Sequence, residues 1–195
     1  MRALAVQLPR PSVRAVVIAA AVATMATAAV ALLIDSGGNE QASQAPRISY
    51  APAPPPPGWK ALRLPGAARQ AFVPGAWRTT ERDGVVSAFA PDRTVLVAVA
   101  ATRARGDQLA AAVRELRRRY AAARPSAEAL LRIAGLPAVA VEVALRTTRG
   151  QRLRALVISA RGRRDRYLIE AFTRSSAPQP RIRELRRVLA TFRLR

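Results

Sequence analysis

The sequence predicts an α+β fold, an antiparallel sheet packed with helices, plus one N-terminal transmembrane helix. Three observations carry that expectation. Residues 15–34 (AVVIAAAVATMATAAVALLI) form twenty positions without a charge. At about 1.5 Å per residue a helix of that length matches the roughly 30 Å hydrocarbon core of a bilayer. Residues 137–145 alternate Val139, Val141, Val143 and Leu145 with Ala138, Ala140, Glu142 and Ala144, the period of two that marks a strand. Segments opening at Asp107 and after Pro180 repeat apolar residues every three or four positions, as amphipathic helices do.

Taken in order, residues 1–14 read as a short cytoplasmic N-terminus. Arg2, Arg10 and Arg14 precede the apolar run and Asp35 follows it, so the excess of positive charge retains the N-terminus inside and sends the rest of the chain out. Residues 15–34 are then a signal anchor. The alternative is a cleaved signal peptide, whose apolar region runs about 7 to 15 residues before a small-x-small site. Nine of the twenty residues are alanine, and cleavage before about residue 39 would release a secreted protein. Residues 35–58 (DSGGNEQASQAPRISYAPAPPPPG) are a Pro-rich linker with little to bury. Held as polyproline II, residues 46–57 would reach about 37 Å, at ~3.1 Å per residue.

Residues 59–195 have the size of one ordinary extracytoplasmic domain. Short strands are expected at 62–64, 71–73 and 85–90, interrupted by Pro65, Pro74, Gly75 and Gly84. A continuously apolar one follows at 94–100 (TVLVAVA). Asp107 caps a helix over 107–124, stopped by Pro125, with Leu109, Val113, Leu116 and Tyr120 on one face. The strand over 137–145 turns at 147–150 into 153–159, and that turns at 161–164 into 166–173; short turns make antiparallel neighbours. A final helix carries Ile182, Leu185, Leu189 and Phe192 on one side.

This order of pieces, with the motifs Phe72-Val-Pro-Gly-Ala-Trp77, TVLVAVA, Gly106-Asp107, Ile133-Ala-Gly-Leu-Pro-Ala138, Tyr167-Leu-Ile-Glu-Ala-Phe172 and Leu189-Ala-Thr-Phe-Arg193, resembles the PsbP-like family. Its α/β/α sandwich and its bacterial members similar to LpqN lipoproteins are what the resemblance brings. It covers nearly all of 59–195 and implies a single binding or assembly domain rather than an enzyme. The chain departs from those lipoproteins in having no cysteine to lipidate, which places anchoring on residues 15–34, and in its arginine content.

Elimination points the same way. The chain has 33 Lys+Arg, 12 Asp+Glu, no His and no Cys, for a net charge of +21. Without His or Cys there is no Ser-His-Asp or Cys-His nucleophile and no zinc site of those ligands. Neither a G-x-x-x-x-G-K-[ST] loop nor a G-x-G-x-x-G fingerprint occurs, so no catalytic residue, metal or cofactor is expected. Lys60, the only lysine, sits at the linker boundary. Glu142 and Glu170 are the remaining acid/base candidates if their strands bring them together; ordinary pairing with Arg152 or Arg154 competes with that.

The candidate contact residues for an anionic partner are Arg114, Arg117, Arg118 and Arg119 on the first helix and Arg161, Arg163, Arg164 and Arg166 on one hairpin. Arg181, Arg183, Arg186 and Arg187 form a third cluster on the last helix. Guanidinium forks suit phosphate and carboxylate, although solvated outer faces or codon bias in a GC-rich genome account for arginine clusters as readily. The expected function is a single-pass, membrane-anchored, non-catalytic extracytoplasmic module that contacts an envelope partner: an anionic polymer, lipid head groups or a protein. Nucleic acid is disfavoured, because aromatics are few and the domain faces outward. The alternative is an envelope lipid or small-molecule carrier with an apolar cleft.

Overall fold

Short turns set the architecture of this computed structural model, which describes residues 48–65, 69–102, 106–162 and 165–194. The strands are β1 (Ile48–Tyr50), β2 (Trp59–Arg63), β3 (Gln70–Pro74), β4 (Arg78–Arg82), β5 (Val85–Phe89), β6 (Val95–Thr102), β7 (Ala122–Pro125), β8 (Ala129–Ile133), β9 (Leu136–Arg146), β10 (Arg152–Arg161) and β11 (Arg166–Arg174). The helices are α1 (Gln108–Arg119), between β6 and β7, and α2 (Gln179–Ala190), after β11. Asp83 and Gly84, and again Ala134 and Gly135, take positive φ between strands that pair up to the turn. That is the two-residue hairpin geometry whose twist matches the flanking strands.

A nine-stranded sheet runs β1-β8-β9-β10-β11-β6-β5-β4, with β7 added to β9; β2 and β3 form a separate hairpin. Every pairing is antiparallel except β1 with β8. Among the described residues strand accounts for 50% and helix for 18%. The fold is therefore β-rich, which corrects the expected helix-packed α/β/α sandwich: the two helices are short pieces laid on a much larger sheet. The expected transmembrane helix at 15–34 lies outside the described residues. Among those described, no helix is long and apolar enough to cross a membrane.

Specific elements account for the correction. The first helix stops at Arg119, not at residue 124, because the chain turns extended at Tyr120 (φ −105°, ψ 146°), and Pro125 forces the residue before it out of the helical region. The freed segment becomes β7 on the edge of β9. The expected linker also contributes structure: β1 joins the sheet, and the following segment is held where the Ala53 amide donates to the Ala190 carbonyl at 2.9 Å.

Alternation along each strand divides the core in two. On one face α2 packs Leu185, Val188 and Leu189 against residues such as Val95, Val97, Val99 and Ile169. On the other, Leu109, Ala112, Val113 and Leu116 of α1 cover Val141, Val143, Leu145, Leu153, Ala155 and Val157. Burying a Val or Leu side chain contributes about 1.5–3 kcal/mol, so each helix is fixed by its apolar stripe. Asp107 caps α1 by accepting from the Ala110 amide at 2.9 Å.

Candidate functional site

Two ends of the sheet have to be distinguished. β9 finishes at Arg146 and β10 begins at Arg152, so the turn between them marks one end; the β10–β11 hairpin, where Arg161 opposes Arg166, marks the other. α1 runs from the second end to the first. Its start is tied to the hairpin by Arg166, whose Nη1 donates to the Gly106 carbonyl at 2.7 Å. Its last turn carries Arg117, Arg118 and Arg119 and leads directly into β7, whose Ala122 pairs with Arg146.

The two expected arginine clusters are therefore not brought together. Arg161 is exposed and Arg166 is occupied at the hairpin end; Arg163 and Arg164 lie outside the described residues. On α1, Arg114, Arg117 and Arg118 are exposed, while Arg118 and Arg119 both engage Glu115. Hydrogen bonding from Arg119, then Arg118, holds the Glu115 carboxyl below its ordinary range. On α2, Arg181 binds Asp92 at 3.0 Å and Glu184 at 2.7 Å; Arg183, Arg186 and Arg187 are exposed, on the opposite side of the sheet from α1.

At the first end, on the face away from α1, stands a group of arginines that the sequence alone did not single out. Arg124 and Arg154 stand opposite Ala144 on either side, and Arg146 stands opposite Arg152. By alternation all four share the face on which α2 lies, and beside them Ala144 is exposed. The turn adds exposed Arg149. The Thr147 amide donates to the Gln151 carbonyl at 2.9 Å, which makes Arg146 and Arg152 a non-hydrogen-bonded pair, the kind with Cα atoms only about 4.5 Å apart. Like charges so placed are destabilising. Among the described residues the carboxylate engaged here is Glu142, 3.2 Å from Arg154, and Arg117, Arg124, Arg146, Arg149 and Arg152 have no ion-pair partner.

Glu142 and Glu170 do not form an acid/base pair. Glu142 opposes Leu156 and Glu170 opposes Val157, adjacent residues of β10, so the two carboxyls point to opposite faces of the sheet. Glu170 is only 4% exposed, and its Oε2 has no hydrogen-bond partner. Burial pushes its carboxyl up to about 7; Glu115 adds to the rise and Arg119 opposes it. The Tyr120 phenol is likewise raised by burial and by the charge of Glu170. Lys60 is engaged too, its Nζ donating to the Trp77 carbonyl. No cluster of three or more His, Cys, Asp or Glu that would hold a metal occurs among the described residues.

No family model matches the chain, and no curated protein does. Solved structures do. A protein from Bacteroides thetaiotaomicron matches with 16% identity and a TM-score of 0.50 over 71% of this chain and 49% of that one; the chain thus spans about half its length. A Pseudomonas aeruginosa protein of unknown function matches at 15% identity over 67% of this chain and 95% of that one, TM-score 0.41. The Ran-binding protein Mog1p of Saccharomyces cerevisiae matches at 12% identity over 68% and 86%, TM-score 0.44. At such identities the first likeness speaks for the β-rich fold alone.

Proposed function

We propose that this protein is a non-catalytic binding or assembly module, tethered through residues 15–34 and held outside the cytoplasm, whose contact surface for an anionic envelope partner is the arginine-bearing end of the sheet. The observation that carries the reading is the grouping there of Arg124, Arg146 and Arg152 on one face and Arg149 in the adjoining turn, without ion-pair partners among the described residues. The separation of Glu142 and Glu170 onto opposite faces supports the absence of a carboxylate-pair mechanism. Kinship with PsbP-like domains, resting on the order of the motifs from Phe72 to Arg193, is part of the proposal and agrees with a binding role.

The test is capture from envelope extract by the purified chain at low and then high salt. Charge-driven contact is weakened strongly by salt because exposed charges are screened within about 8 Å at physiological ionic strength. Capture that survives high salt and the change Arg146→Ala with Arg152→Ala would refute the assignment of the surface.

A further inference from the structure

Among the described residues Glu170 is the one carboxylate or guanidinium that the fold buries. It stands on β11, a central strand paired along its length with β10 and β6, so it cannot reach water unless the sheet tears or its cover moves. Its neighbours across the strands are Val157 and Ala98, and Ser87 lies beyond Ala98. None of these is charged. The charged and titratable groups that face it belong to the cover: Glu115 and Arg119 of α1, and Tyr120 just after it. Glu115 already engages Arg118 and Arg119, so the arginine facing Glu170 is committed to another carboxylate. Oε2 of Glu170 has no hydrogen-bond partner.

That cover is fastened differently from the sheet beneath it. α1 lies down through Leu109, Ala112, Val113 and Leu116, while its backbone hydrogen bonds are spent inside the helix. Its start is tied by Arg166 to the Gly106 carbonyl. At its other end the chain turns extended at Tyr120, and β7 beyond is four residues on the edge of β9. The last turn can therefore lift without breaking any pairing among β9, β10 and β11.

We infer that α1 is a proton-latched cover: its last turn lies closed on the sheet while Glu170 is protonated, and unwinds and lifts far more often once Glu170 is ionised, letting water reach the carboxylate. The direction follows from linkage. In the closed form burial raises the carboxyl to about 7, with Glu115 adding to the rise and Arg119 opposing it; in the lifted form it is an ordinary glutamate near 4.5. Below pH 4.5 both forms carry the proton, and opening does not respond to pH. Between 4.5 and 7 opening releases the proton, so each pH unit favours it about tenfold; above 7 the gain levels off at about 300-fold. Tyr120 stays neutral through this window because burial raises its phenol, and Glu115 stays ionised because Arg119 and Arg118 hold it low. Opening is a minor state of the folded protein throughout, drawn from the low-stability end of its local motions.

Native-state amide exchange on the full chain in a neutral detergent, with each rate divided by its intrinsic rate, reads the opening from below pH 4.5 to above pH 7. The reporters are the amides of Leu116, Arg118 and Tyr120, the last donating to the Leu116 carbonyl at 3.1 Å. Their protection falls about 300-fold across the window, by the linkage above, and depends weakly on urea. Amides of Ala155 and Val157 on β10 are more protected at every pH and depend steeply on urea, as exchange through whole-domain unfolding does. Glu170→Gln, with no proton to release, removes the pH dependence at α1. Glu170→Met, of similar length and without polar atoms, does the same. Glu115→Gln shrinks the dependence without removing it, because Glu115 only adds to the rise. Protection at α1 that ignores pH, or that keeps its fall in both Glu170 variants, overturns the inference. So does equal protection with an equal urea slope at α1 and β10, which would mean that α1 opens only with the whole domain.

Discussion

Replacing Glu170 by glutamine makes stability less dependent on pH. The carboxyl is buried beneath α1 with Oε2 unpartnered, and its affinity for a proton is raised from 4.5 to about 7. Below pH 4.5 it is protonated in folded and unfolded chains alike, and this source of pH dependence is absent. Between 4.5 and 7 the unfolded chain releases the proton and the folded one keeps it, so stability falls as pH rises; above 7 both are ionised and the loss levels off. At about 1.4 kcal/mol for each tenfold change in proton affinity, the full loss is about 3 kcal/mol. Glu170→Gln is neutral throughout, so it equals the native protein near pH 4 and exceeds it by about 3 kcal/mol at pH 8. Urea unfolding followed by the fluorescence of buried Trp77 reads this directly, provided the dependence on urea is unchanged. The groups facing Glu170 from α1 are Arg119, Glu115 and Tyr120. Glu115 is held low by its arginines, so its own contribution is lost only as pH falls below the ordinary Glu range, outside this window. A difference between Glu170→Gln and the native chain that stays constant from pH 4 to 8 would sink the reasoning.

Three further substitutions test the packing that positions the site. Thr191→Val removes a buried hydroxyl that accepts from the Phe72 amide at 2.9 Å and donates toward the Phe72 and Val188 carbonyls. The orphaned amide costs about 1–3 kcal/mol by urea unfolding, and an unchanged midpoint would count against it. Gly75→Ala puts a Cβ 2.7 Å from the Gly58 carbonyl oxygen, which accepts from the Gly75 amide at 3.1 Å; the enforced shift lowers stability by about 1–3 kcal/mol, and the thermal midpoint reports it. Asp107→Ala strips the cap from α1 and costs about 1 kcal/mol, with faster amide exchange at Ala110 than in the rest of the helix.

Local pattern made some elements readable and left others hidden. Strand β6 shows itself as an apolar run, and β9 to β11 show themselves by alternation and short turns, because their two faces differ in burial. β4 is exposed at all five positions, so no hydrophobic period marks it. β7 and β1 exist through pairing with distant strands rather than through their own residues, and their absence from a local reading tilted the expected fold toward helix. The same limit governs the site. Arg117 and Arg118 stand out on a helix face, whereas Arg124 comes to stand opposite Ala144, two residues from Arg146, only because β7 pairs with β9 in one register. The separation of the two glutamates depends on register too: one residue of slip along β10 would have set them on a single face.

The number of arginines is a weak guide to function in this chain; their opposition is a stronger one. A composition bias adds arginine wherever the fold tolerates it, and α2 tolerates Arg183 and Arg187 because a helix fans its outer side chains into water. Elsewhere carboxylates answer the charge: Asp165 meets Arg69 at 2.7 Å, Glu115 takes Arg118 and Arg119, and Arg181 lies between Asp92 and Glu184. At the Arg146–Arg152 pair no carboxylate answers among the described residues, and the register places the two charges at the closest cross-strand position. Glutamate at position 146 would convert that repulsion into a pair worth about 0.2–1 kcal/mol.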